Sequence, residues 1–416
     1  MTQKKIIITG GGAAGMMAAG RASEKGARVV LLEKMARTGR KIGISGKGRC
    51  NLTNSAELTD FLSHFGKNGR FLRQCFNHFF TNDLTSFFEE RGLSLVRERG
   101  GRIFPKSGRA LDVVKILNEW LVNGKVEIQL NSPVSKLLTK NGHISGVVCR
   151  GKTIPCKAVI LATGGKSYPR TGSTGDGYRL ASSLGHTLTP IRPALVPLVP
   201  EKKDLLTLAG LTLKNVNIRL IVNGRRRKTG FGELSFTDSG ISGPVPLSMS
   251  GFIVDSLRQG DKISMAIDLK PALDDRQLAK RLIRDFEKRR GEPISSILRG
   301  LLPRQLVDLC LETCGISPDI DTHTFPAAKR KKLTAWLKNF QFALTGYRDF
   351  DEAIVTAGGV KLAEVDPRTM ESKLVKGLFI AGELLDIQAD TGGFNLQAAF
   401  STGWLAGTEA AHALKK

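Results

Sequence analysis

Three glycines and one carboxylate constrain this chain more than any other feature. Gly10, Gly12 and Gly15 follow the β-branched run Lys5-Ile6-Ile7-Ile8-Thr9, and Glu33 stands 18 residues after Gly15. The run predicts a buried parallel strand, residues 16–25 a helix, and residues 27–32 a second strand closed by Glu33. In that setting each glycine has a physical task. Gly10 permits a tight turn, Gly12 lets the backbone approach a pyrophosphate, and Gly15 lets the helix pack on the strand. The first-turn N–H groups, Ala13 and Ala14 included, are left to meet phosphate oxygens. Glu33 is placed to accept the hydroxyls of an adenosine ribose. The pattern predicts a βαβ dinucleotide cradle.

The far end of the chain selects FAD over NAD. Ile380-Ala381-Gly382-Glu383-Leu384-Leu385-Asp386 reads as a second flavin motif, in which a carboxylate, Glu383 or Asp386, meets the ribityl chain. Thr391-Gly392-Gly393-Phe394-Asn395 then leads into a helix beginning near Leu396. The positive end of that helix would face the pyrimidine side of the isoalloxazine and favour the reduced, anionic ring. Thr163 and Gly164, after the apolar strand Ala158–Ala162, supply a strand-end contact, and Val134 joins the cofactor contacts. No histidine or cysteine stands where a covalent flavin link would be obvious, so the FAD is expected to be non-covalent. No second glycine fingerprint follows another strand. NADH or NADPH, as hydride donor, must therefore visit the same flavin face transiently.

The 416 residues suffice for two or three domains, and a hydrophobic fraction of 41% with 24% charged residues is that of a globular protein. No apolar run approaches the roughly 18 residues of a membrane helix, and the amino terminus lacks a signal-peptide pattern. A cytoplasmic protein is expected. Six scattered cysteines without a C-x-x-C pair argue against a disulfide framework or a zinc knuckle, and no metal is expected. Cys310 and Cys314 share a helical face, as core thiols. A basic, glycine-rich loop spans 34–54, a strand 126–130, and a hairpin 144–156. Near residue 190 prolines cluster and short alternating segments begin, including 216–222 and 262–269. Residues 275–340 take helical periodicity, and glycine-rich α/β texture returns from 353. The expected division is an FAD-binding domain from 1–189 and 346–416, a β-rich insert at 190–270 and a helical subdomain at 271–345.

The net charge of +25 is unevenly spread. Residues 1–189 carry 30 basic against 12 acidic side chains, far more than two pyrophosphate charges require. Lysine and arginine gain affinity for polyanions by releasing counterions. The clusters that could do so are Lys67, Arg70 and Arg73; Arg97, Arg99, Arg102 and Lys106; Arg225 to Lys228; and Lys329 to Lys332. Ribosomal RNA or a ribosome-assembly intermediate is the expected partner.

The whole chain resembles the BaiN/RdsA family of NAD(P)/FAD-dependent oxidoreductases. The resemblance rests on the opening glycine motif and on Gly39-Arg40-Lys41-Ile42-Gly43-Ile44-Ser45-Gly46-Lys47-Gly48-Arg49-Cys50-Asn51-Leu52-Thr53-Asn54. It rests also on Gly164 to Pro169, Gly232 to Thr237 with Gly240 to Pro244, Thr356 to Val360, and the closing segment from Thr391 to Asn395. It implies an α/β fold: a discontinuous FAD-binding Rossmann-like domain of ββα type, an inserted β-barrel-like domain and a helical subdomain. Members of such a family are linked to reduction of a uridine in large-subunit ribosomal RNA to dihydrouridine, to bile-acid dehydrogenation and to amine oxidation. The charge favours the RNA reaction; a small-molecule oxidoreductase with an incidental basic surface is the alternative, and a non-catalytic flavin-binding factor a third. Lys34, Arg40, Lys41, Ser45, Gly48 and Asn51 are assigned to FAD phosphates and loop geometry. Cys50 is the first choice of proton donor and Tyr168 the second, with His186 structural. Two positions depart from the family pattern: Lys47 stands at a usual glycine and Asp238 at a frequent histidine.

Overall fold

The structure is a computed structural model and describes residues 5–320 and 325–415. The chain divides into two compact units, one of residues 1–194 with 349–416, the other of 195–348.

The first unit is built on a five-stranded parallel sheet in the order Leu378–Ile380, Ala158–Leu161, Lys5–Thr9, Arg28–Leu32, Glu127–Gln129. Its central strand is covered on both faces, which is why Ile6, Ile7 and Ile8 are consecutive apolar residues rather than alternating ones. The helix Ala13–Glu24 returns from the first strand to the second. It is made of small residues because other elements touch its backbone. A side-chain carbon at Gly403 or Gly407, in the closing helix Phe394–Ala413, would stand 2.3 Å from Ala14 O or 2.5 Å from Ala18 O. Trp120 packs against Gly20 in the same way.

The expected hairpin at 144–156 is present as His143–Cys149 with Lys152–Pro155, and a third strand, Val134–Lys140, pairs with its outer edge. That strand has no clean alternation, and four of its seven residues are exposed, which hid it. The loop 34–54 contains a short helix, Arg40–Ile44, and a strand pair in which Thr53–Asn54 lies antiparallel to Arg102–Pro105.

The second unit is a closed six-stranded barrel in the order Leu198–Pro200, Gly240–Ser242, Arg225–Thr237, Thr212–Val222, Ile263–Asp268, Phe340–Tyr347. The helices Asp275–Lys288, Ile294–Leu298, Arg304–Cys314 and Ala327–Lys338 share one hydrophobic core with it, through Leu278, Leu282, Leu333 and Leu337 among others. Two elements differ from the sequence expectation. Phe340–Tyr347 is a strand rather than part of a helical region, and it closes the barrel by pairing with both Ile263–Asp268 and Leu198–Pro200. Pro244–Arg258 is a helix inside the stretch expected to be β-rich. Pro244 and Pro246 lie in its first turn, where no intrahelical N–H bond is lost.

Among the described residues no helix is long and apolar enough to cross a membrane, and no group of three His, Cys, Asp or Glu residues could hold a metal ion. All six cysteines are buried free thiols.

Candidate cofactor cradle and active site

The cradle begins where the first strand turns into the first helix. Gly10 has φ 99° and donates to Leu32 O at 2.9 Å, and a side-chain carbon on it would lie 2.5 Å from Ala162 O. On Gly15 that carbon would lie 1.8 Å from Gly10 O. Gly12 is different: nothing stands within 4 Å of where its Cβ would be, and it caps the helix without a side-chain hydrogen bond. The first-turn N–H groups, at the positive end of the helix, therefore have no side-chain cap. Glu33, 9% exposed, accepts from Gly11 N at 2.6 Å and Met35 N at 2.7 Å. A carboxylate has about four acceptor sites, so Glu33 is fixed beside the cradle with capacity left for two hydroxyls. Ser132 N donates to Glu33 O at 2.8 Å, which brings the half-buried Val134 to the same strand end.

Other predicted contacts are committed elsewhere. Lys34 Nζ lies 2.6 Å from Asp176 Oδ2 and 2.5 Å from Thr174 Oγ1, and its charge helps hold the Asp176 carboxyl below the usual range against the opposing effect of burial. Arg40 donates to Arg170 O at 2.9 Å. Lys41 Nζ meets Glu383 Oε2 at 2.7 Å and Ser167 Oγ at 2.5 Å. Glu383 Oε1 accepts from Ser167 Oγ at 2.9 Å and Thr356 N at 2.7 Å. With three of its acceptor sites filled by protein, Glu383 knots four distant segments together. Glu383, expected to meet a ribityl chain, is oriented by these three protein donors. Asp386 is half-buried, and its carbonyl accepts from Asn68 Nδ2 at 2.7 Å. Gly382, φ 73°, turns the chain directly beneath Ala14.

The second helix start belongs to Phe394–Ala413. Gly392 and Gly393 have φ 143° and 101°, and a side-chain carbon on Gly393 would strike Thr53 O at 2.4 Å. Asn54 Nδ2 holds Gly392 O at 3.0 Å, and Asn395 pins the preceding turn by donating to Ala389 O and accepting from Ala389 N. Leu396 is packed against the core. Gly403 lies against Ala14 and Gly407 against Ala18, so the two helices run parallel. Phe394 is nine residues before Gly403 and Ala13 one before Ala14, which sets the second helix start about 12 Å ahead of the first at about 1.5 Å per residue. Two helix starts thus point the same way at levels about 12 Å apart.

Segments of this unit carry buried polar atoms with no partner among the described residues: Asn51 Oδ1, Thr53 Oγ1, Thr163 Oγ1 and Gln388 Oε1. Leaving such a group unpaired costs about 1–3 kcal/mol. Gly164, φ 73°, follows Thr163 at the end of the neighbouring strand. The fit to FAD rests on the uncapped helix start after Gly12 and on the acceptor sites left free on Glu33.

Cys50 does not present itself to a ligand. It is 0% exposed, and burial pushes its thiol up to about 12, with Ser45 acting in the opposite direction. As proton donor it is corrected to a core residue. Its left-handed φ of 60° closes a loop in which Gly46, Lys47 and Gly48 are also left-handed, and Ser45 braces that loop by donating to Ile42 O at 2.7 Å. Lys47, at φ 59°, occupies a conformation that favours glycine, which explains the family's usual residue there. Tyr168 is half-buried with φ 50°; burial and the nearby Glu352 raise its phenol above the ordinary range. His186 is buried between Glu364 Oε2 at 3.1 Å and Ser372 Oγ at 2.8 Å, a structural arrangement. Asp238 is exposed.

Sequence reading missed one pair. His64 stacks on Phe394 at 3.8 Å between ring centroids, and its Nδ1 lies 3.3 Å from Asp390 Oδ2. The imidazole therefore sits beside the second helix start, oriented by a carboxylate 326 positions away. No local pattern marks it. The basic clusters at 67–73, 97–106 and 225–228 are exposed, and Glu98 binds both Arg49 and Arg102.

A parallel sheet, a glycine-capped helix and an inserted barrel define a Rossmann-type dinucleotide-binding oxidoreductase fold. The chain belongs to the HI0933-like protein family, whose Rossmann domain model matches residues 4–409. It is 35% identical over 410 residues to a 3-dehydro-bile acid delta(4,6)-reductase of Clostridium scindens, covering 98% of this chain and 99% of that protein. It is 32% identical over 412 residues to a ribosomal RNA dihydrouridine synthase of Escherichia coli, covering 97% of each. A synthase of the same name from Haemophilus influenzae is 30% identical over 96% of each chain. Among solved structures, the open conformation of a flavocytochrome c3 fumarate reductase matches with a TM-score of 0.55 at 18% identity, covering 100% of this chain and 79% of that one. That likeness is one of fold.

Proposed function

We propose that this protein binds one FAD non-covalently and reduces a carbon–carbon double bond conjugated to a carbonyl, with a uridine of large-subunit ribosomal RNA as substrate. The observation that carries the cofactor reading is the pair of parallel, glycine-capped helix starts about 12 Å apart in level. The first would bind the pyrophosphate, with Glu33 on the ribose, and the second would face the pyrimidine side of the flavin. FAD held there and reduced by NADH or NADPH would supply a hydride for C6 of a uracil. The protein's task is to place a proton at C5 and to hold the base.

His64 is suited to the proton. Asp390 faces Nδ1 and fixes the ring, which leaves Nε2 as the acid, and a positioned imidazole contributes about 10²–10⁴ in rate. The Asn395 and Asn68 contacts hold the 386–390 turn on which Asp390 sits. The +25 charge would offset the cost of unstacking the base, a few kcal/mol in structured RNA.

A second reading is favoured by the Clostridium scindens relative: a small conjugated ketone as substrate, with the same hydride and proton roles. Anaerobic protein reduced with NADPH and mixed with a ribosomal RNA transcript tests the choice. The RNA reading expects the flavin absorbance to return as dihydrouridine accumulates by mass spectrometry. Return with a steroid enone alone, and no reduced pyrimidine in the RNA, would overturn it.

A further inference from the structure

The barrel unit carries a surface that the cofactor site does not use. The strands Thr212–Val222 and Arg225–Thr237 form a hairpin whose turn, Asn223-Gly224, takes φ 50° and 76°. Both values match the tight turn that Asn-Gly favours. Beyond the turn Arg225, Arg226, Arg227, Lys228 and Thr229 are all exposed, with Lys228 Nζ 5.1 Å from the ring centre of Phe252 in the helix Pro244–Arg258. The register shifts between Leu220, opposite Lys228, and Ile221, opposite Arg226. Arg227 is therefore the extra residue of a bulge, a device that re-aims side chains at a strand edge.

Three residues past this cationic run stands Phe231, 64% exposed. It pairs with Asn217, and Thr229 with Arg219, so the ring lies on the same outward face as Arg219. Arg219 donates to Lys338 O at 2.9 Å and Asn339 Oδ1 at 2.7 Å, which fixes its guanidinium. The opposite face is closed: a side-chain carbon at Gly230 would strike Val245 at 2.7 Å and Met249 at 2.9 Å. From 219 to 233 the hairpin holds five cationic side chains and one acidic one, Glu233.

We infer that this hairpin is a docking arm for single-stranded RNA, with Arg225, Arg226 and Arg227 on the phosphates and Phe231 as a platform on which a base stacks. The inference rests on the RNA reading above and names the surface that would hold the strand. Charge complementarity commits it to a polyanion, and the exposed ring to one with free bases, since a stacking aromatic beside a cationic track is how single strands are bound without sequence readout.

The test is fluorescence anisotropy of a labelled twelve-nucleotide oligouridine with the flavin-loaded full chain, across a salt series. The triple variant R225Q/R226Q/R227Q should flatten the log–log salt dependence by about 2, at about 0.7 for each phosphate that is no longer neutralised. Phe231→Ala should weaken binding about tenfold without changing that slope, and Phe231→Trp should restore it. Retained flavin absorbance and an unchanged far-UV circular dichroism spectrum report that both units of each variant are folded. If the parent chain binds and the variants bind equally well, the arm is refuted while the RNA reading stands. If the triple variant only self-associates, the charges guard a strand edge and the arm is likewise refuted. A parent chain that does not bind oligouridine removes both.

Discussion

A side chain added at Gly15, in the cofactor unit, would stand 1.8 Å from Gly10 O, whereas one added at Gly251, in the barrel unit, meets nothing within 4 Å. The contrast extends beyond two residues. In the cofactor unit, backbone lies against backbone at Gly10, Gly15, Gly403 and Gly407, because two helices and a strand must converge on one narrow cradle. The barrel unit has one such contact, at Gly240, where a side-chain carbon would stand 2.2 Å from Leu198 O, and is otherwise held mainly by side chains around one core, where apolar residues of similar volume can replace one another. A geometry that tolerates one residue type leaves a legible trace; a geometry that tolerates many leaves only periodicity.

That contrast is open to experiment. The largest effect is expected from Gly15→Val, which should abolish folding of the cofactor unit, seen as loss of soluble flavin-containing protein; a soluble yellow variant would show that the packing is looser than described. Next, His64→Asn should cut turnover about 10²–10⁴-fold with FAD content unchanged. Rates within a few-fold of the parent chain would move the acid role from His64 to Tyr168, the second choice from sequence.

A smaller effect concerns pH. Burial lowers the His186 imidazole below its ordinary value of 6.5, against the raising influence of Glu364, so the folded state holds it neutral. The unfolded chain binds the additional proton, and stability should therefore be full above about pH 6.5 and decline as pH falls through the window below it. Thermal unfolding from pH 8 to 5 should show this decline, flattened in His186→Gln. Least of all, Gly251→Ala in the helix Pro244–Arg258 should raise stability, by about 0.5–1 kcal/mol; a loss would mean that the barrel unit packs as tightly as the cradle.

Much of the cofactor unit was legible because its glycines carry positional meaning. Gly10, Gly15, Gly392 and Gly393 each stand where the backbone must turn or approach another part of the chain, and Gly12 stands where a ligand is proposed to approach. Charged residues were read less well. Lys34, Lys41 and Glu383 suggested ligand contacts by type, but their partners lie between 126 and 342 positions away, and no local pattern reveals which charge is already spent. Cys50 sat in the right loop with the wrong orientation, since burial depends on what packs over a loop. His64 and Asp390 were missed for the same reason. In the barrel unit, the strand Phe340–Tyr347 was hidden by its position after four helices, and its role in closing the barrel depends on pairing with residues far earlier in the chain.

Gly12 offers the most direct test of the cradle. Its φ of −87° and ψ of −167° suit any residue, and its Cβ would meet nothing within 4 Å, so Gly12→Val should leave the unfolding temperature of the flavin-free protein unchanged. The same side chain would occupy the space assigned to the pyrophosphate. Titration of FAD is expected to give one bound molecule per parent chain and affinity at least about a hundredfold weaker for the variant, equivalent to about 2.8 kcal/mol. Equal affinity in the two proteins, or no FAD taken up by the parent chain, would contradict the account.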